Sequence, residues 1–152
     1  MSIEFSDSSI LLISIKPQYA KKIFKGEKTI ELRKSAPKKV SKGSYMLIYV
    51  TAPVKELWGI CKIENIIKDN PELLWENFGE KTGISKQEFN NYYEDYTNAF
   101  GIELKEIKNL LDRSIDLDCL KTMIPGFMPP QTYRYIKQNV FANSDLKELM
   151  FS

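Results

Sequence analysis

The stretch LLISIKPQYAKKIFKGEKTIELRKS, residues 11–35, changes its hydrophobic period twice, and the rest of the fold is read outward from it. It begins inside an Ile-rich apolar run bounded by Pro17, which predicts a buried strand at about 9–15. Pro17 suits the first turn of a helix. Tyr19, Ala20, Ile23 and Phe24 then recur at helical spacing until Gly26 offers a stop, so the helix should show its lysines to solvent. From Lys28 the period becomes two: Ile30 and Leu32 face a core, while Glu31 and Arg33 share the other face of a strand. Helix and strand together should bring Lys22, Lys25, Lys28 and Arg33 to neighbouring positions around one turn.

Further along, APKKVSKG reads as a loop, YMLIYVT as a third strand, and ELWGICKIENIIKD as a long fourth strand that Gly59 bends or bulges. NPELLWENFGEKTG reads as a helix capped by Asn70, with Pro71 first, Glu72 at its positive end and Gly79 or Gly83 near its close. Ser85 and Glu88 have the spacing of a capping box that opens another helix. NAFGIELKEIKNL returns to the sheet, DLDCLKTM carries no decisive period, and PPQTYRYIKQ reads as a final helix opened by prolines. Strands framing short helices predict an α+β fold around a small, curved or closed sheet.

At 152 residues the chain has the length of a single domain, 1–152. Its apolar runs are far shorter than the roughly 20 residues needed to cross a bilayer, and no signal pattern opens the sequence, so the expectation is a cytoplasmic protein without a membrane partner. Cys61 and Cys119 belong to no CxxC pair and read as small buried hydrophobes. Histidine is absent, which excludes the Ser-His-Asp triad and the commonest zinc ligand; catalysis would have to run on Lys, Glu, Asp, Tyr, Ser or Thr. No metal site and no cofactor are expected. The net charge of +2 is unevenly spread: residues 16–42 hold ten Lys or Arg against Glu27 and Glu31, whereas residues 63–112 hold eleven acids against five bases. The basic side is the place for a polyanion.

The ordered set LLISIKPQYAKKIFKGEKTIELRKS, KGSYMLIYVTAPVKELWGICKIENII, PELLWENFGEKTGISKQEF and PPQTYRYI resembles the ASCH domain family of the PUA-like superfamily over nearly the entire chain. The resemblance implies a small PUA-like β-barrel of about five or six strands with helices closing its ends and a cleft beside the G-x-K-T segment. It also implies work on RNA or modified nucleosides, since relatives bind RNA, some cut it, and one branch removes the acetyl group from N4-acetylcytidine. That branch places a catalytic threonine where this sequence has Glu31, and a carboxylate does not replace an activated hydroxyl. The resemblance implies Glu80 as the counterpart of its assisting glutamate.

Lys28, at the helix-to-strand turn, is the first site residue: either a solvated strand-start lysine, or an ammonium meeting phosphate or a base carbonyl, with a pKa lowered if it is desolvated. Glu31 with Arg33 is either an ion pair orienting the arginine, or a carboxylate accepting from a base amine while Arg33 holds phosphate. An exposed pair of this kind contributes only about 0–1 kcal/mol. Lys16, Lys22 and Lys25 form a stripe suited to phosphate. Tyr49, Tyr92, Tyr93 and Tyr96 could stack on a base, whereas Trp58 and Trp75 read as core. NNYYEDY is a lid or a plain helix end. Gln131, Tyr133 and Arg134 offer amide, ring and guanidinium to a nucleotide, or simply belong to a terminal helix. The leading reading is a binding module whose basic cleft takes RNA or a modified nucleoside or nucleotide, with DNA admitted by the same phosphate chemistry. The alternative is a hydrolase, a ribonuclease or an amidohydrolase, with Lys28 as base or stabiliser and Glu31 as general acid/base. A third reading is an adaptor that docks a protein through Glu76, Glu80 and Glu88.

Overall fold

The first strand is apolar on both faces, and its neighbours explain why. In the computed structural model, which describes residues 9–113, 115–141 and 148, β1 (Ser9–Ile15) lies between β3 (Tyr45–Val50), its parallel partner, and β6 (Tyr133–Lys137), antiparallel. Leu11, Ile13 and Ile15 enter one core cluster, Ile10 and Leu12 another, so a continuous rather than alternating run is required. Among the described residues the sheet has six strands in the order β2-β5-β4-β3-β1-β6, with β2 at Ile30–Arg33, β4 at Glu56–Asp69 and β5 at Ala99–Asn109. This is the expected α+β architecture with six strands. No ladder joins β2 to β6 among the described residues. The loop after β2 spans that gap instead: the Tyr135 hydroxyl accepts from the Lys38 and Lys39 amides at 2.7 and 3.3 Å, and the Tyr133 hydroxyl donates to the Ala36 carbonyl at 3.5 Å.

Among the described residues, four named helices cover the sheet. α1 (Pro17–Phe24) buries Ala20 and Ile23 against the inner cluster. α2 (Pro71–Phe78) and α3 (Lys86–Tyr92) place Leu74 and Phe89 on Ile30 and Leu32 of β2. α4 (Leu117–Met123), where the sequence carried no decisive period, sets Leu120 on Leu47, Tyr49, Leu57 and Ile60. The caps form as the sequence implies: Asn70 accepts from the Leu73 amide, and Ser85 and Glu88 complete their capping box. Asp116 caps α4 through the Cys119 amide. The register of β3 on β4 shifts opposite Gly59, and there a Cβ would stand 2.5 Å from the Phe24 ring, so only glycine lets α1 approach the strand.

Two expectations are corrected. PPQTYRYIKQ is not a helix: Tyr133–Lys137 is the edge strand β6, whose Ile136 is buried with Ile10 on one face while Tyr133 and Tyr135 pack half-buried against the cluster of Leu11 and Ile13 on the other, and aromatic residues favour such a strand. The prolines precede the strand, where a missing N–H costs no ladder bond. Cys61 is buried as expected, but Cys119 is exposed on α4 because Leu120 takes the core-facing position. Trp58 is core, and Trp75 packs half-buried on Phe89. Among the described residues, no helix is long and apolar enough to cross a membrane.

Candidate functional site

The turn from α1 to β2 is built by backbone economy: the amides of Glu27 and Lys28 both donate to the Lys22 carbonyl, and Gly26 supplies the positive φ of 78° that the reversal needs. Lys28 therefore leaves the turn pointing inward. Its side chain is only 2 % exposed, and its ammonium donates to the carbonyls of Ile30 at 2.7 Å and Thr82 at 2.8 Å, with the Glu31 carboxylate at 3.4 Å. Three N–H donors meet three acceptors, so none is left over for a phosphate. Burial pushes the Lys28 ammonium below its ordinary pKa; Glu31 opposes the shift, while Arg33 and Lys22 add to it.

Three successive carbonyls of the segment before α3 grip this turn. Lys81 accepts from the Thr29 amide, Thr82 from Lys28, and Gly83 from the Lys22 ammonium at 2.6 Å. Gly83 has φ +71°, and a Cβ on it would lie 2.7 Å from the Lys28 Cβ, so a side chain there would push the segment off the lysine. The grip orients α3. Glu88 and Tyr92, one turn apart on one face of that helix, consequently look onto β2.

Between α1, β2 and α3 lies a cleft of about 300 Å³. At its floor the Glu31 carboxylate is held by Lys28 and by Arg33 Nη2 at 2.7 Å, and the same Arg33 nitrogen donates to the Ser14 carbonyl at 3.0 Å. Arg33 Nε is buried and has no hydrogen-bond partner among the described residues. The rings of Tyr19 and Tyr92 border the cleft, and exposed Lys16, Glu88 and Gln131 stand at its rim with Thr51. Burial raises the Tyr19 and Tyr92 hydroxyls above their ordinary pKa, Glu88 and Glu31 reinforcing the shift at Tyr19. The ion pair of Glu31 and Arg33 is thus no exposed surface pair: the carboxylate is buried and the guanidinium is 14 % exposed.

Of the residues singled out in the sequence, Lys16, Lys28, Glu31, Arg33 and Gln131 come together here. Lys22 is tied to Gly83, and Lys25 is exposed on the far end of the same turn. Tyr49 is buried against Phe127 on the other side of the sheet. Tyr133 packs on Tyr135, and Arg134 donates to the Met128 carbonyl, both away from the cleft lining. Glu80 is exposed in the short turn Gly79–Lys81. Sequence reasoning missed Ser14, Thr51 and the cleft side of Glu88. Ser14 was legible as the one hydroxyl inside SILLISI that is not at its end, and Glu88 as the residue one helical turn before Tyr92.

This is a small mixed-sheet barrel-like fold with a charged cleft sunk between its first helix and second strand. Residues 11–125 match the model of a family described as Domain of unknown function (DUF365). An ASCH domain-containing ribonuclease of Zymomonas mobilis is 30% identical over 135 residues, which are 89% of this chain and 89% of the relative. A crystal structure of a single-residue variant of the Zymomonas mobilis ASCH protein superposes with a TM-score of 0.82 at 30% identity, covering 95% of this chain and 98% of that one. The large ribosomal subunit protein uL22 of Ureaplasma parvum is 28% identical over 104 residues, 68% of this chain and 33% of the ribosomal protein. The chain belongs to the DUF365 family and is an ASCH domain protein.

Proposed function

We propose that the cleft receives one nucleotide of an unpaired RNA strand. The observation that carries this reading is the buried group Lys28, Glu31 and Arg33 at the base of a cleft bordered by two tyrosine rings. Buried ion pairs are on balance no more stabilising than apolar side chains of the same size, so their presence here points to a ligand rather than to the core. The volume of about 300 Å³ suits a single base with its sugar and excludes a duplex. Tyr19 and Tyr92 offer faces to a base, while Arg33 Nε and Lys16 offer donors to phosphate or a base carbonyl. Lys28, its donors consumed, acts through Glu31 by holding the carboxylate that in turn orients Arg33. The RNA assignment is supported by the ribonuclease name of one relative and the ribosomal name of another.

Titration of short single-stranded RNA, duplex RNA and DNA at several salt concentrations tests this. Single-stranded RNA should bind best, with a log–log salt slope of about −0.7 per phosphate held, and Arg33→Ala should abolish most of the affinity. Salt-independent binding, or a full-affinity Arg33→Ala protein, overturns the assignment.

The relative's name favours a second reading, in which the bound strand is cut. In that chemistry the 2′-hydroxyl loses its proton to a carboxylate, its oxygen attacks the adjacent phosphorus, and the P–O5′ bond breaks as the 5′-oxygen takes a proton from solvent water, whose hydroxide is neutralised by the proton on the carboxylic acid; Arg33 would stabilise the charge on phosphorus. Glu31 lies between two cations and Glu88 at the rim, so each is a candidate proton acceptor. Labelled RNA incubated with wild type, Glu31→Gln and Glu88→Gln, with and without EDTA, separates cutting from passive binding. N4-acetylcytidine in parallel tests the amidohydrolase alternative.

A further inference from the structure

Beside the cleft, outside its lining, Lys34 stands over two tyrosine rings at once, with its ammonium 4.6 Å from the Tyr92 centroid and 4.7 Å from that of Tyr96. Lys34 is exposed and makes no carboxylate ion pair among the described residues; Tyr96 is 46% exposed. An exposed aromatic face with an unneutralised ammonium next to it is the combination that holds a base and its phosphate.

The backing of this pair is rigid. The Tyr93 hydroxyl donates to the carbonyls of Arg33 at 3.0 Å and Phe100 at 3.3 Å, the Tyr92 hydroxyl to that of Leu32 at 3.4 Å, and the Tyr96 amide to the Tyr93 carbonyl at 2.9 Å. The end of α3 is thereby fastened to the end of β2. Tyr92 is common to both places: its ring borders the cleft and also meets Lys34. Lys34 and Tyr96 thus adjoin the cleft across a single ring.

We propose that Lys34 and Tyr96 form a second nucleotide subsite, which takes the neighbour of the nucleotide in the cleft by stacking its base on Tyr96 and neutralising the linking phosphate with Lys34. The ligand is then a strand of at least two unpaired nucleotides rather than a free nucleoside. This rests on the reading of the cleft given above, and the experiment separates the two.

Affinities are measured by calorimetry for the four nucleoside 5′-monophosphates and for single-stranded dinucleotides containing the tightest of them, on wild type, Tyr96→Ala and Lys34→Ala. Both side chains are exposed, and unchanged thermal unfolding confirms intact variants. The dinucleotide should bind wild type at least about fivefold more tightly than the mononucleotide, and each variant should remove that gain while leaving mononucleotide affinity unchanged. A dinucleotide no tighter than the mononucleotide, or a variant losing both equally, overturns the subsite and leaves the cleft standing. Absence of binding by every probe brings down the cleft reading, and the subsite with it.

Discussion

Where α4 covers the sheet, Leu120, Ile124 and Phe127 cluster with Leu47, Tyr49, Leu57 and Ile60, side chains that are hydrocarbon apart from one tyrosine hydroxyl. Where α1 and α3 meet over β2, the buried side chains include an ammonium and a carboxylate, with a guanidinium close to buried, each met by backbone carbonyls or by one another. Both regions shield a strand from water with short helices. The first gains stability from every atom it buries. The second gains little on balance and becomes costly if any one charge loses its partner. Burial alone therefore does not tell scaffold from site; the chemistry of what is buried does.

The largest expected effect breaks the charged region one member at a time. Lys28→Met leaves Glu31 and two carbonyls short of a donor and should cost about 3–5 kcal/mol in urea unfolding. The triple variant Lys28→Met, Glu31→Leu, Arg33→Met should recover most of that loss while binding no RNA. A triple variant as unstable as the single one would show that the charges serve the fold. At the apolar end, Phe127→Ala should also cost about 3–5 kcal/mol, yet the folded protein should keep wild-type RNA affinity. Altered RNA affinity in this variant would mean that the two regions are coupled.

Alkaline pH sharpens the contrast further. Burial holds the Cys61 thiol up to about 12 and raises the Tyr93 hydroxyl, so above the ordinary thiol value of 9.0 the native chain keeps protons that the unfolded chain releases, and stability falls as pH rises. Lys28 acts in the opposite sense: its lowered pKa means that the native chain binds fewer protons below the ordinary 10.5, so its contribution grows as pH climbs to that value. Cys61→Ala should therefore lose less melting temperature than wild type between about pH 9 and 10.5, measured by calorimetry. An identical slope would remove the thiol from the account. The smallest effect is expected at Asp116→Ala, where loss of the cap on the Cys119 amide should cost about 1 kcal/mol without touching the cleft.

Much of the chain was legible because local rules act over a few residues. The run of apolar residues in β1, the switch to helical spacing after Pro17, the alternation of Ile30 and Leu32, the caps at Asn70 and Ser85, and the ASCH resemblance could all be read from the order of residues alone. The strand β6 was misread as a helix because two prolines also open helices, and the ladder with β1 that decides the matter joins residues far apart in the chain. For the same reason the sequence leaves Tyr49 open as a stacking ring, whereas in the fold Phe127, distant in the chain, packs on it.

What the sequence by itself determined was which charges and rings sit on the α1–β2 segment, since side-chain order along a helix or strand follows from its period. Only the tertiary structure decided that Lys28 and Glu31 are buried, because the carbonyls of Lys81, Thr82 and Gly83 that close over the turn arrive from a segment more than 50 positions away, as the separation of 54 between Lys28 and Thr82 records. Desolvation depends on everything packed around a group, and no window of sequence contains that surrounding.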